Sequence, residues 1–272
     1  MMRFTQHSRI PISSLCLLLF ALHQTVQGFA FCLLFSSPAV MPASSDVKEG
    51  VEAGVVQLLA IGPGAGDRKQ ECAATGFLVN GDGYILTNAH VVEDARRCLA
   101  SSPGGKILAK FGPGKGRTSE ALACDVVALD DEHDLAVLKT EQPLPPEHRD
   151  ASVRLDPGPV PDGARVTVTG HPSFLWKPKT YTGRVVARES LRLGERNHEP
   201  TDVLVLNITM QRGASGSPVY LESGEVVGIV ERQRPSNRLE TVAIPIAKAI
   251  ALLNRLGVVW TPASVSPNLL SE

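Results

Sequence analysis

The chain has 272 residues, 43% of them hydrophobic, enough for one large β domain or two small ones around a substantial core. Its 27 Lys and Arg against 28 Asp and Glu give a formal net charge of −1 with no basic block, which argues against nucleic acid as the main partner, because phosphate binding needs a basic footprint. Twenty-four glycines and 20 prolines favour many turns over long helices.

Arg3 and Arg9 precede an apolar run from Ile12 to Leu22, and a second short run spans Phe29 to Phe35. The charge-then-apolar order and the short first run are those of a secretory signal. Residues 1–43 are therefore expected to form a targeting segment and linker, cleaved after Gly28 or nearer Ala43, and the protein to be exported, periplasmic or secreted. The alternative is an uncleaved anchor that uses both runs, which together approach ~20 spanning residues; membrane contact is expected only through that segment. Cys16 and Cys32 lie in it. Cys72, Cys98 and Cys124 remain, so one is unpaired whichever pair forms. Cys72 with Cys98 is the preferred disulfide, because the two bracket the segment carrying His90; three free thiols are the alternative. No Cys/His spacing marks a metal site, and neither metal nor cofactor is expected.

Residues 36–50 are small and polar and read as a linker. Strands are expected at Val51–Ile61, Gly76–Val79, Tyr84–Thr87, Lys106–Phe111, Ala121–Leu129 and Leu135–Lys139, with Gly81-Asp82-Gly83 turning one hairpin. Residues 141–163 are rich in Pro, Asp and Gly and read as a connector, since proline cannot donate to a sheet ladder. More strands are expected at Arg165–Thr169, Thr180–Arg188, Val203–Thr209, Pro218–Leu221, Glu225–Glu231 and Thr241–Ile244. Ile246, Ile250, Leu253 and Leu256 recur at helical spacing, and Gly257 stands where a helix stops. The layout predicts an all-β protein of two six-stranded antiparallel barrels with a C-terminal helix: a first barrel over 44–145, a second with the helix over 146–262, and a mobile tail over 263–272. A single sandwich with extra strands is the alternative on pattern alone.

Three segments carry chemistry. Gly213-Ala214-Ser215-Gly216-Ser217-Pro218 flanks a serine with small residues, which permits a tight turn and a close backbone approach to a substrate carbonyl. The N–H groups of Gly213 and Ser215 are candidate oxyanion donors. Thr87-Asn88-Ala89-His90-Val91-Val92 supplies a histidine at the end of a strand. His133-Asp134-Leu135-Ala136-Val137-Leu138 places a carboxylate where an apolar segment enters the core, and a buried carboxylate needs a partner such as a histidine N–H. Asp130, Asp131 and Glu132 compete with Asp134 but read as solvated, and His133, His171 and His198 read as loop residues. Serine needs a base, and the base needs a carboxylate that fixes its tautomer. His90 as base, Asp134 as orienter and Ser215 as nucleophile would cut acyl bonds, with a protein or peptide as substrate; this order of triad residues occurs on double β-barrels.

Thr75-Gly76-Phe77-Leu78-Val79, the run from Gly83 to Val92, Asp134 to Lys139, Gly170-His171-Pro172, Thr182 to Val186, Gly228-Ile229-Val230 and Ala243-Ile244-Pro245 resemble, in order, the trypsin-like serine proteases of the HtrA-like branch. The resemblance covers about residues 72 to 256. It implies a chymotrypsin-type double barrel, endopeptidase activity without a cofactor, and the same three triad roles. It departs from the family at Ala214 and Ser217, where Asn and Gly are usual. Ala214 also cannot pair with a new N-terminal amine, so no trypsin-style zymogen switch is expected. Sixteen residues follow Leu256, too few for the PDZ domain many family members carry. By alignment Thr209 stands at the base of the primary pocket, with Met210, Arg212, Gly228 and Ile229 around it. No acid there selects Lys or Arg; Met210 suggests an apolar side chain and Arg212 an acidic one. An inactive protease-like binding module and an esterase on the same triad remain the other readings. Nothing in the sequence sets the oligomeric state.

Overall fold

The computed structural model describes residues 45–62, 72–112, 121–172, 177–193 and 199–263. The targeting segment with its two cysteines, His198 and the tail after residue 263 lie outside these residues. Among the described residues no helix is long and apolar enough to cross a membrane.

The described residues begin with helix α1 (Ser45–Gly54), which runs straight into strand β1 (Val55–Ile61). This corrects two expectations: the end of the supposed linker is helical, and the first strand begins four residues later than Val51. The sequence of α1 is polar on most sides, and Val51 and Gly54 are its buried residues. Val51 is buried in the cluster that also holds Val153, Leu155 and Val226. Strands β2 (Ala73–Leu78), β3 (Tyr84–Thr87), β4 (Lys106–Lys110), β5 (Ala121–Asp130) and β6 (Leu135–Thr140) follow, with helix α2 (Ala89–Leu99) between β3 and β4. They close a barrel in the order β1-β2-β3-β6-β5-β4.

A connector containing one 3₁₀ turn, Pro146–His148, leads to the second barrel. Its strands are β7 (Arg165–Gly170), β8 (Lys179–Leu191), β9 (Thr201–Leu206), β10 (Pro218–Tyr220), β11 (Val226–Gln233) and β12 (Thr241–Pro245), closed in the order β10-β11-β12-β9-β8-β7. All pairings within both barrels are antiparallel. Helix α3 (Ile246–Arg255) follows, with Ile246, Ala249, Ile250, Leu252 and Leu253 buried. Leu256, expected on that apolar face, caps the helix and is exposed. Gly257 then takes a φ of +67°, the left-handed conformation that closes a helix and that a side chain would strain.

Alternating burial explains why several strands are apolar on both faces. Along β6, Leu135 and Val137 join a cluster shared by both barrels, while Ala136 and Leu138 point into the first barrel. Along β12, Val242 and Ile244 join the shared cluster and Ala243 points into the second barrel. The period of two thus sends every other side chain to the seam. Three apolar clusters result, one inside each barrel and one to which both barrels contribute.

Candidate active site

His90 is not at a strand end, as expected, but is the second residue of α2. The Val91-Val92 pair that read as strand is buried on the inner face of this helix together with Ala95. The first N–H groups of a helix have no partner within it. That of His90 donates to Asp134 Oδ1 at 2.8 Å, and the ring Nδ1 lies 2.7 Å from Asp134 Oδ2. Asp134 ends the turn between β5 and β6 with a φ of +52°, and it is the one non-glycine residue with positive φ among the described residues. That backbone folds the carboxylate back toward α2. Asn88 Nδ2 donates to the Asp134 carbonyl at 3.1 Å and locks the turn. The 2% exposed Asp134 already accepts the His90 N–H on one carboxyl oxygen, and as the acceptor of the ring contact on the other it places the proton of the neutral ring on Nδ1 and leaves Nε2 free to take one.

Ser215 sits in the loop before β10, fastened to the first barrel by Thr75. The Thr75 N–H donates to the Ser215 carbonyl at 3.0 Å, and its hydroxyl donates to the Gly213 carbonyl at 2.8 Å. The same hydroxyl accepts the N–H of His171 at 2.9 Å, and the Thr75 carbonyl accepts the Thr87 hydroxyl at 2.8 Å. Among the described residues the N–H groups of Gly213 and Ser215 are not engaged, as oxyanion donors must be in a free site. The Ser215 hydroxyl donates to the backbone carbonyl of Glu231 at 2.9 Å, not to His90.

Gly216 makes the close approach of the two barrels possible. It has a φ of +82°, and a Cβ there would run into the Thr75 carbonyl oxygen and the Thr87 hydroxyl. Gly216→Ala is therefore expected to destabilise the fold by on the order of 3 kcal/mol, through backbone strain plus steric conflict. A urea midpoint within error of wild type would refute this account of the loop.

His90, Ser215, Gly213 and Arg212 line one cleft of about 150 Å³, with Cys72, Asp94 and apolar residues of the first barrel. Of the five residues expected around a side-chain pocket, only Arg212 lines this cleft. Met210 and Ile229 are buried in apolar clusters, Gly228 pairs within the sheet opposite Val219 and Pro245, and Thr209 is exposed. The reason is the alternation of β11 and the inward turn of the segment after β9, which sequence spacing does not reveal. Cys72 and Cys98 form a disulfide with Cα atoms 6.4 Å apart, tying the end of α2 to the strand beside it. Cys124 is a free, buried thiol, and burial pushes its pKa up to about 12, which leaves it inert.

One competitor of Asp134 differs from its sequence reading. Asp130 is not solvated but 9% exposed, bound by Arg255 Nη2 at 2.8 Å and by His133. Burial pushes its carboxyl up, but the hydrogen bonds of His133 and Arg255 outweigh that and bring it below the ordinary range. The pair anchors α3 to the first barrel. His171 lies in a loop, as expected, and is buried there, 2% exposed, beside the loop that carries Ser215.

Burial pulls the His90 imidazolium down, but the hydrogen bond and charge of Asp134, with smaller contributions from Glu231 and Asp94, raise its pKa overall. Glu231, on β11, is 3% exposed, and burial first and the Asp134 charge second push its carboxyl up to about 7 against the opposing pull of Arg232. Sequence reading missed both Glu231 and Thr75. A charged residue closing the apolar run Val226 to Val230 was the available signal for the first; Thr75 gave none. His90, Asp134 and Glu231 offer donor atoms within 4.8 Å of one another, as do Asp130, Glu132 and His133. In the first group the 2.7 Å contact between His90 and Asp134 is a hydrogen bond, too short to span two ligands of one metal at about 2.0–2.2 Å each in tetrahedral geometry.

Residues 74–229, more than half of the chain, match the family model of the trypsin-like peptidase domain. The chain belongs to the trypsin-like peptidase family. Relatives named as HtrA and DegP-like serine proteases are among the similar proteins. The chain is 31% identical over 209 residues to the mitochondrial serine protease HTRA2 of Bos taurus, covering 72% of this chain and 41% of that one. It is 29% identical over 196 residues to a probable periplasmic DegP-like serine endoprotease of Hahella chejuensis, covering 70% and 37%. The chain thus spans about two fifths of the length of these relatives. The fold of this trypsin-like chain is that of the Rv3671c protease of M. tuberculosis in its active form, with a TM-score of 0.62 at 23% identity, over 85% of this chain and 95% of that one.

Proposed function

We propose that the protein is a serine endopeptidase that cleaves peptide bonds of proteins through an acyl-enzyme. Ser215 attacks the carbonyl carbon, and its proton passes to His90 Nε2. Asp134 orients the ring and stabilises the imidazolium, and the N–H groups of Gly213 and Ser215 receive the oxyanion. His90 then returns the proton to the leaving amine, and water repeats the sequence on the ester. The observation that carries this reading is the double grip of Asp134 on His90, at 2.8 Å to the backbone and 2.7 Å to the ring, in a cleft shared with Ser215. No step calls for a metal or a cofactor.

The Ser215 hydroxyl must leave the Glu231 carbonyl to meet Nε2. That exchanges one hydrogen bond for another, a difference of about 1 kcal/mol at most, which substrate binding can supply. Arg212 in the cleft favours substrates with an acidic group near the scissile bond. The N-terminal 43 residues are read as the export segment, in keeping with the periplasmic naming of the DegP-like relatives, and the two barrels as units over 44–145 and 146–262.

Purified protein is expected to degrade unfolded casein and to be labelled by a fluorophosphonate probe, with both signals absent from Ser215→Ala. Wild-type protein that takes no label from pH 6 to 9 would instead favour the inactive binding module, for which the Ser215–Glu231 hydrogen bond is the supporting observation. Labelling with hydrolysis of esters but no cleavage of peptides would favour the esterase.

A further inference from the structure

Strand β11 brings into the site a second acid that the triad chemistry leaves unused. Val230 pairs with Ala243 and Arg232 with Val242, so Glu231 is the extra residue of a β-bulge. A bulge re-aims a side chain, and bulges recur beside active sites. Here the bulge turns Glu231 inward. Its backbone carbonyl holds the Ser215 hydroxyl at 2.9 Å, and its carboxylate stands with the His90 ring and the Asp134 carboxylate, donor atoms of all three within 4.8 Å of one another. Arg232 Nη1 holds Oε1 at 2.6 Å. Oε2 is buried and has no hydrogen-bond partner among the described residues.

The charged groups facing this carboxylate are Asp134 at the head of β6, His90 on α2 and Arg232 beside it; Asp94 on α2 acts on His90. A buried carboxylate with one oxygen unsatisfied is costly, and two close carboxylates repel unless a cation stands between them. During acylation such a cation appears. The Ser215 proton moves to His90 as the Ser215 Oγ bonds to the substrate carbon, and the new imidazolium faces two acids instead of one. Glu231 itself forms and breaks no bond.

We propose that Glu231 is a positioning residue of the site, a second acid that acts with Asp134 on the imidazolium of His90 and so sets the basicity of the ring. Its catalytic consequence rests on the peptidase reading. Its coupling to His90 rests on the geometry alone, and the two are separable by experiment.

The test is an NMR titration of the His90 ring in the full chain, with His90→Ala assigning the resonance. In Glu231→Gln the His90 pKa is expected to fall by well more than the error of the titration, since a negative neighbour is lost. Glu231→Asp retains the charge and is expected to stay within a few tenths of wild type. The acid limb of the pH profile of fluorophosphonate labelling is expected to move to lower pH with the His90 titration. An unchanged His90 titration in Glu231→Gln overturns the proposal. So does a shift in Glu231→Asp as large as that in Glu231→Gln, which would assign the effect to packing. Should Glu231→Gln fail to fold, ¹³Cδ-glutamate labelling of the wild type decides. A Glu231 carboxyl that titrates in two steps, the second tracking His90, supports the coupling; one independent step in the ordinary carboxylate range overturns it. If the wild type takes no label at any pH while its His90 titration still depends on Glu231, the peptidase reading fails and the coupling stands.

Discussion

Ser215→Ala is expected to lower kcat/KM on a peptide substrate by about a millionfold. In the proposed reaction the Ser215 Oγ is the atom that becomes covalently bound, so its loss removes the acyl-enzyme route entirely. What survives is binding and the Gly213 and Ser215 N–H groups, which can still polarise a carbonyl toward water and leave roughly 10³-fold catalysis over solution. Combining Ser215→Ala with His90→Ala is expected to cost almost nothing further, because nucleophile and base act as one unit. The kinetics are read with a fluorogenic peptide under saturating and limiting substrate. A Ser215→Ala loss below a hundredfold, or additive losses in the double variant, would remove Ser215 from the role of nucleophile.

Asp134→Asn is the second large effect, about 10⁴-fold in kcat with little change in KM. Asp134 accepts two hydrogen bonds at once, from the His90 N–H at 2.8 Å and from Nδ1 at 2.7 Å. Asparagine has one oxygen and one NH₂ to offer. Keeping the oxygen on the buried backbone N–H turns the NH₂ toward Nδ1, which must then be an acceptor. The ring proton moves to Nε2, where it blocks proton transfer from Ser215. Asparagine tolerates the φ of +52° as well as aspartate does, so the fold is expected to survive. A folded Asp134→Asn protein within tenfold of wild type at neutral pH would show that Asp134 does not set the tautomer. Raising the pH is expected to recover part of the activity, and hydroxide is the base that would do it.

The sequence was most informative where a signal is local. Eleven of the expected strands lie within about three residues of the observed ones, because alternation and turn residues are short-range properties. β1 begins four residues later than expected, because Val51 is apolar in either state and is buried as part of a helix, in the cluster that also holds Val153 and Val226. Helix α2 was missed for a related reason. Val91-Val92 is a strand-like pair, and the helix exists because its inner face fills the first barrel while Asp134, 44 residues away, satisfies an N–H of its first turn. The pocket expectations rested on alignment. Met210 and Ile229 turned inward because the register of one strand decides which of two faces a residue sees.

By itself, then, the sequence determined the all-β class, the number and order of the strands, and the three segments that supply an imidazole, a carboxylate and a hydroxyl. Composition, period and motif are carried by neighbouring residues and need no fold to be read. The tertiary structure alone decided how those segments are tied: Thr75 bonded to the nucleophile loop 140 residues later, Asp134 bent back in a left-handed turn, and Glu231 swung by a bulge against the histidine. Each of these joins groups far apart in the chain, and the energy of burying a charge depends on which groups surround it once the two barrels have closed on each other.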